Sequence, residues 1–440
     1  MHKPTWWLLA RTVLGVIVLL AALWVLGGAA RRSSFDGDEN LYMWRGRYFG
    51  HLFLRQDIGH PEWGDSYWTH SQPMLTNYVV GGWLWAQGHD LEKMPPPYLW
   101  GKGSQENRRQ GRVPDRALLA QARAPMVVIS AGAVVLLYLL GCSLGSTLAG
   151  LTAATLALVS PLTQKFLVRA VGEPLLGFFL LLSLLLAVLA ARRARHGAIS
   201  IGWAVAVGAT LGLGLSTKLT VVLSVAAVLA WMLLTVLAAW HRAGSIHGAR
   251  FGRAWTAGRG WAVAVAVSLG IFVLSNPHLY PNPGLHTAHL FQNRFEEMVA
   301  QQRNLPRDAI GNPLERIRFV LEGSLIESTA TGSRGLPLEA ALATIGAAVL
   351  LARTWRGWRR ASHIPVEGLV LVAVLAYFAG VTAGLLLAWP HYLVPTFLLG
   401  TVLSGLGLST VTHSLVHQSV RAVIPGAKRR GLIPQGAAPR

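Results

Sequence analysis

Long apolar runs separated by short basic turns set the plan of this chain. They fall at residues 12–30, 125–142, 144–160, 174–191, 199–216, 219–240, 261–276, 336–352, 366–388 and 391–412. Such runs suit helices crossing a hydrocarbon core of about 30 Å, so the pattern predicts an all-α, polytopic transmembrane protein of about ten spans. The even number puts both termini on one side. The first run follows Lys3 and Arg11, as the core of a signal peptide would. It is longer than the roughly 7–15 apolar residues of such a core and is read as a retained span.

Two long polar segments, residues 31–124 and 277–335, then lie on the opposite side. Within the first, Leu41, Trp44, Tyr48 and Leu52 recur at helical spacing among Arg45, Arg47 and Arg55, which predicts an amphipathic helix at the membrane surface. A second such helix is expected from Pro73 to Trp85, and Met94-Pro95-Pro96-Pro97-Tyr98 reads as a stiff extended connector. In the second segment, helices are expected near 286–303 and 313–328. No repeat of fixed period is visible. Residues 1–412 read as one transmembrane domain, and 413–440 as a basic tail.

Composition agrees: 52% of residues are hydrophobic and 13% charged. The formal charge of +20 would suggest nucleic acid in a soluble chain, but here the basic residues gather beside spans. Arg192, Arg193, Arg195, Arg353, Arg356, Arg359, Arg360, Lys428, Arg429 and Arg430 all fall in turns or the tail on the N-terminal side. By the positive-inside rule that side is cytoplasmic, and no nucleic-acid partner is implied. Cys142 is the single cysteine, which excludes an intrachain disulfide and a thiolate metal cluster.

The acids follow the opposite rule. Of 19 Asp and Glu residues, only Glu367 falls on the cytoplasmic side of this threading. Three of the others, Asp36, Asp38 and Glu39, stand just beyond the first span, where a membrane enzyme would hold a base against a lipid-borne substrate. The segments Asp38-Glu39-x-x-Tyr42 and His70-Ser71-Gln72-Pro73-Met74-Leu75 resemble the Asp-Glu and His-Pro-Pro-Leu-type motifs of phospholipid-carrier-dependent glycosyltransferases, the group of protein O-mannosyltransferases and aminoarabinose transferases. Arg169-x-x-x-Glu173-x-Leu175-Leu176-x-Phe178-Phe179 is similar to that family's second acidic motif, with Glu173 where Asp is usual. Leu215-Ser216-Thr217-Lys218 resembles its Thr-Lys turn, and His391-Tyr392-Leu393-Val394-Pro395 its late Tyr segment.

The resemblance implies a C-class glycosyltransferase fold and a polyprenyl-phosphate-linked sugar as donor, with a lipid, glycan or protein as acceptor. The reaction sets its own requirements. The carrier leaves as a phosphate, already a stable anion, so no protonating acid is needed and one general base for the acceptor hydroxyl suffices. Asp38 is the expected base of an inverting displacement, with Asp36 and Glu39 raising its pKa or binding the acceptor. The plainer reading is that Asp36 and Asp38 cap the surface helix.

Cations must meet the phosphate on the same face. Lys218 lies between two spans, where a lysine is costly unless paired. Lys165, Arg169 with Glu173, and His391 with Tyr392 are further candidates for the phosphate and sugar, and Tyr42, His70 and Gln72 for positioning. Two plainer readings compete: Lys218 snorkels to the interface, or Arg169 pairs with Glu173 within one turn. His51, His60, His70, His278, His286 and His289 carry no metal-ligand signature, so no metal site is assigned and the cofactor is left open. A diphosphate-linked oligosaccharide ligase would use the same geometry. A transporter would place ionisable groups within its spans, which this chain almost lacks, and a noncatalytic scaffold would not gather charges at one interface.

Overall fold

The structure, a computed structural model, describes residues 5–64, 66–70, 72–194, 198–241, 247–329, 337–360 and 365–423. Ser71 of the second motif, Arg195, and the tail from 424 with Lys428, Arg429 and Arg430 lie outside the described residues. Most described residues are helical. Among them there is no strand; an isolated antiparallel bridge joins Ala309 and Leu387.

Among the described residues, eight helices are long and apolar enough to cross a membrane: Leu8–Arg32, Arg116–Leu144, Glu173–Arg193, Leu219–His241, Arg250–Leu274, Leu338–Arg359, Glu367–Gly384 and Pro390–Gln418. Thr147–Val159 and Ile201–Leu215, predicted as full spans, are helices of 13 and 15 residues. At 1.5 Å per residue they reach only about 20 Å, short of the hydrocarbon thickness. All ten apolar runs are therefore helices, and eight have spanning length.

Three boundaries moved, each for a local reason. Helix His247–Leu274 begins well before residue 261, because Arg250, Arg253 and Arg259 hide its first turns from a hydropathy pattern without breaking the helix. The run predicted to 388 stops at Gly384, and the chain beyond pairs with the polar segment 277–335 through Ile310 N to Leu386 O, 2.9 Å, and Ala388 N to Asp308 O, 2.7 Å. Helix Val394–Val423 continues past 412, so the boundary drawn there falls inside a helix.

The helices close by small residues, as association inside lipid requires. A Cβ at Gly208 would lie 2.4 Å from Ala264 O, and at Gly212 2.6 Å from Ser268 O. Helices Leu338–Arg360 and Val394–Val423 meet the same way, with Gly346 against Leu403 O and Gly407 against Leu342 O. Large residues there would push backbones apart and lose the interhelical packing.

The polar segment 31–124 folds onto the helix ends rather than lying loose. Helix Gly37–Trp44 buries Tyr42 and Met43 among Val80, Leu84, Met126 and Leu175. It is continued by Arg47–Phe49 and a π turn, Gly50–Leu54. Helix Leu75–Ala86 crosses it, and Asn40 Nδ2 donates to Pro96 O and Arg112 O, pinning the proline connector. The expected loop helices appear as Pro283–Asn304 and Pro313–Glu322.

Candidate active site

The carboxylates beyond the first span separate into different tasks. Asp36 is the N-cap of helix Gly37–Trp44: its side chain accepts from Asp38 N at 3.1 Å, and its own N–H donates to Glu39 Oε2 at 3.1 Å, closing a capping box. The second oxygen of Asp36 is ion-paired with Arg169 Nη1. Glu39 is fully buried and grips Arg123 by two 2.6 Å bonds, while Ala170 N donates to it at 3.0 Å. Expected beside the base, Glu39 is instead saturated behind it. A carboxylate with every approach occupied by fixed donors has no lone pair to offer an acceptor hydroxyl.

Asp38 differs. No described residue hydrogen-bonds or ion-pairs with its side chain, although paired carboxylates surround it. Asp38 is an exposed residue, yet protein atoms crowd the neighbourhood of its carboxylate. Burial first, then the charges of Asp36 and Glu173, push its pKa up to about 7, against the opposing pull of Lys218 and Arg294.

Close enough to act on Asp38, Glu173 opens helix Glu173–Arg193 and pairs with Lys218 Nζ. Arg169 and Glu173 do not pair with each other. Arg169 lies in the turn before that helix, so the two share no helical face, and each takes a partner from elsewhere. Lys218 is buried, 9% exposed, which replaces snorkelling with an internal ion pair. Its Nζ also lies 5.6 Å from the Tyr392 ring, and the His391 ring lies tilted against Tyr392 at 4.3 Å and edge-on to Phe166 at 5.9 Å. Lys165 and Arg169 both lie over the Phe166 ring. Tyr42 reaches the same place because Gly172 has no side chain: a Cβ there would lie 3.3 Å from Tyr42 Oη.

Asp36, Asp38, Tyr42, Lys165, Arg169, Glu173, Lys218, His391 and Tyr392 therefore converge from four separate stretches of sequence. His70 and Gln72 are placed by other neighbours. His70 is buried edge-on to His278 at 5.6 Å, and burial, His70 and Arg45 push His278 down to about 3, leaving it neutral. The Gln72 carbonyl accepts from the buried Arg45 at 2.9 Å. Met74 N donates to Asn276 Oδ1 at 2.9 Å and Leu75 N to Ser216 O at 2.7 Å, so this motif fastens the outer segment to the turn that carries Lys218.

Two site residues escape a reading of the sequence. Arg123 holds Glu39; its signal was an arginine at the outer edge of a predicted span, a position that calls for a partner. Arg294, on helix Pro283–Asn304, donates to Tyr392 Oη at 3.3 Å and to Glu297 at 2.5 Å, and Tyr67 Oη donates to Glu297 at 3.1 Å. Nothing marks Arg294 among the other arginines of the outer segments.

A model of the family described as dolichyl-phosphate-mannose-protein mannosyltransferase matches residues 51–276. Similar solved structures include ArnT from Cupriavidus metallidurans bound to undecaprenyl phosphate, at 16% identity and a TM-score of 0.51, over 99% of this chain and 67% of that one. The oligosaccharyltransferase AglB from Archaeoglobus fulgidus, in complex with an inhibitory peptide and a dolichol-phosphate, is similar at 15% identity and a TM-score of 0.52, over 94% of this chain and 52% of that one. The chain thus spans about half the length of the archaeal enzyme, and at these identities the likeness is one of fold. No curated protein sequence matches the chain.

Proposed function

The chain belongs to the dolichyl-phosphate-mannose-protein mannosyltransferase family, membrane glycosyltransferases with lipid-phosphate sugar donors, and on that premise we propose that it moves a sugar from a polyprenyl-phosphate carrier to an acceptor hydroxyl, with Asp38 as general base. The reaction face is extracytoplasmic and both termini are cytoplasmic, a reading supported by the basic inner turns and the outer acids. Asp38 takes the proton of the acceptor hydroxyl as its oxygen attacks the anomeric carbon. The carbon–oxygen bond to the carrier breaks, its electron pair leaving with the phosphate, and the anomeric configuration inverts. Lys218, Arg169 and Arg294 supply positive charge to that phosphate, and His391 and Tyr392 line the approach of the sugar. Lys218 and Arg169 are then shared between their carboxylate partners, Glu173 and Asp36, and the incoming anion.

The observation that carries this reading is the contrast among the carboxylates: Asp36, Glu39 and Glu173 each hold a cation, while Asp38 holds none among the described residues and has its pKa pushed up to about 7. That is the state a base needs at physiological pH. Purified protein assayed with a panel of radiolabelled polyprenyl-phosphate sugars tests the donor class. Transfer only from a diphosphate-linked oligosaccharide would replace this reading with the ligase.

A further inference from the structure

Away from the site, three side chains of the first outer segment approach one another closely. His51 on the π turn Gly50–Leu54, His60 before the turn Pro61–Trp63, and Glu62 within it each offer one ligand atom, all within 4.8 Å of one another. His51 Nε2 and Glu62 Oε2 are 3.2 Å apart, and the rings of His51 and His60 stack at 3.8 Å. Two ligands of a tetrahedral zinc ion, each bonded at about 2.0–2.1 Å, stand roughly 3.3 Å apart, so the first pair already has the edge length of such a site. His60 and Glu62 are half-buried and can close the remaining gap, whereas His51 is 1% exposed and fixed.

The surroundings favour a rigid site over a solvated trio. His51 is walled by Tyr48 and Trp63, themselves packed at 4.8 Å, and its Nδ1 is buried with no partner among the described residues. Arg47 Nη1 lies 3.6 Å from Glu62 Oε1, leaving Oε2 turned to His51. Orientation of one carboxylate oxygen by a second partner is the usual companion of a metal ligand. Glu62 N donates to His60 Nδ1 at 3.2 Å, a contact that a ring flip or the shift of His60 toward the ion would release. Intervening residues Phe53, Leu54 and Ile58 are exposed apolar side chains.

We propose that His51, His60 and Glu62 bind a divalent transition metal, zinc by ligand type, with at least one open coordination position. The ion clips residues 51–62 into a closed loop and holds Phe53, Leu54 and Ile58 out as a unit. His51 lies on the π turn that continues helix Gly37–Trp44 through Arg47–Phe49, so the clip also stiffens that helix's mounting. Two imidazoles and a carboxylate suit Zn²⁺ and Co²⁺ and do not suit Mg²⁺ or Ca²⁺, which prefer all-oxygen sites.

The test is metal binding by the full chain in detergent, purified with a tag free of histidine, stripped with chelator and titrated with Zn²⁺ or Co²⁺. One ion per chain is expected, with a four- or five-coordinate Co²⁺ absorption band. His60→Ala and Glu62→Gln, both at half-buried positions, should each weaken binding at least about tenfold. Binding of well under one equivalent by the wild type at micromolar metal overturns the proposal, as does unchanged affinity in both variants. Metal content is read without any sugar donor, so failure here leaves the transferase reading untouched, and failure of that reading leaves the metal site.

Discussion

Arg123 and Glu39 form a two-pronged ion pair, Nε to Oε1 and Nη2 to Oε2, both 2.6 Å, with neither side chain more than 4% exposed. The remaining donors of Arg123 go to Ala30 O, Ser33 O and Ser34 O, each at 2.8 Å. All five guanidinium N–H groups are thus used. One residue ends the first span, by binding carbonyls its helix leaves unpaired, and anchors the helix that carries Asp38. The base is held at a fixed place because its neighbour is locked.

Removing either partner leaves a buried charge. Arg123→Met and Glu39→Ala should each destabilise the protein by about 3–5 kcal/mol, seen as reduced yield of folded protein and a lower Tm in detergent. A variant of either kind with wild-type stability but altered pH dependence of turnover would mean that Glu39 takes part in the chemistry.

Asp38→Asn separates base from cap. Asp36, not Asp38, caps the helix, so the amide should leave folding intact. Turnover should fall about a hundredfold to ten-thousandfold, because the amide accepts no proton at neutral pH. If the folded variant keeps more than about a tenth of wild-type turnover, the base lies elsewhere, and Asp36 is the next to test.

The pH profile carries a sign. A base works deprotonated, so with Asp38 pushed up to about 7, kcat/KM should rise with pH through that value and level off above it. Below it, each pH unit should cost about tenfold. A profile flat from pH 5 to 8 would remove Asp38 from the role.

Lys218→Ala should weaken use of the carrier-linked donor by roughly ten- to a hundredfold in kcat/KM, the worth of about 1.5–3 kcal/mol for a charge-assisted contact. Glu173 loses its partner in that variant, so Lys218→Met with Glu173→Gln is the control that removes both charges. If the double variant recovers normal donor dependence, Lys218 serves only to neutralise Glu173.

Topology is tested by reporter fusions. Residues near 100 and 310 should report the outer compartment and those near 250 and 357 the inner. An inner residue 100 would place Asp38 on the wrong face for the proposed reaction.

The apolar runs determined by themselves that this chain is a bundle of membrane helices, because burial in lipid is decided locally, run by run. Residues Asp36, Asp38, Lys218 and His391 were also legible as charges at span ends, where an unpaired group is costly. Their division of labour was not. Only the tertiary structure decided that Arg169 meets Asp36, Lys218 meets Glu173 and Arg123 meets Glu39, across 133, 45 and 84 residues. Charge pairing depends on distance in space, which local periodicity does not encode, and the choice of which carboxylate stays unpaired is a property of the whole cluster. The same holds for Gly46 and Gly81, where a Cβ on Gly81 would lie 2.4 Å from Gly46 O. In the sequence they are two glycines 35 residues apart; in the fold they are the point where the helices of the outer segment touch. Packing of that kind is set by the approach of two backbones, and no single stretch of chain contains both.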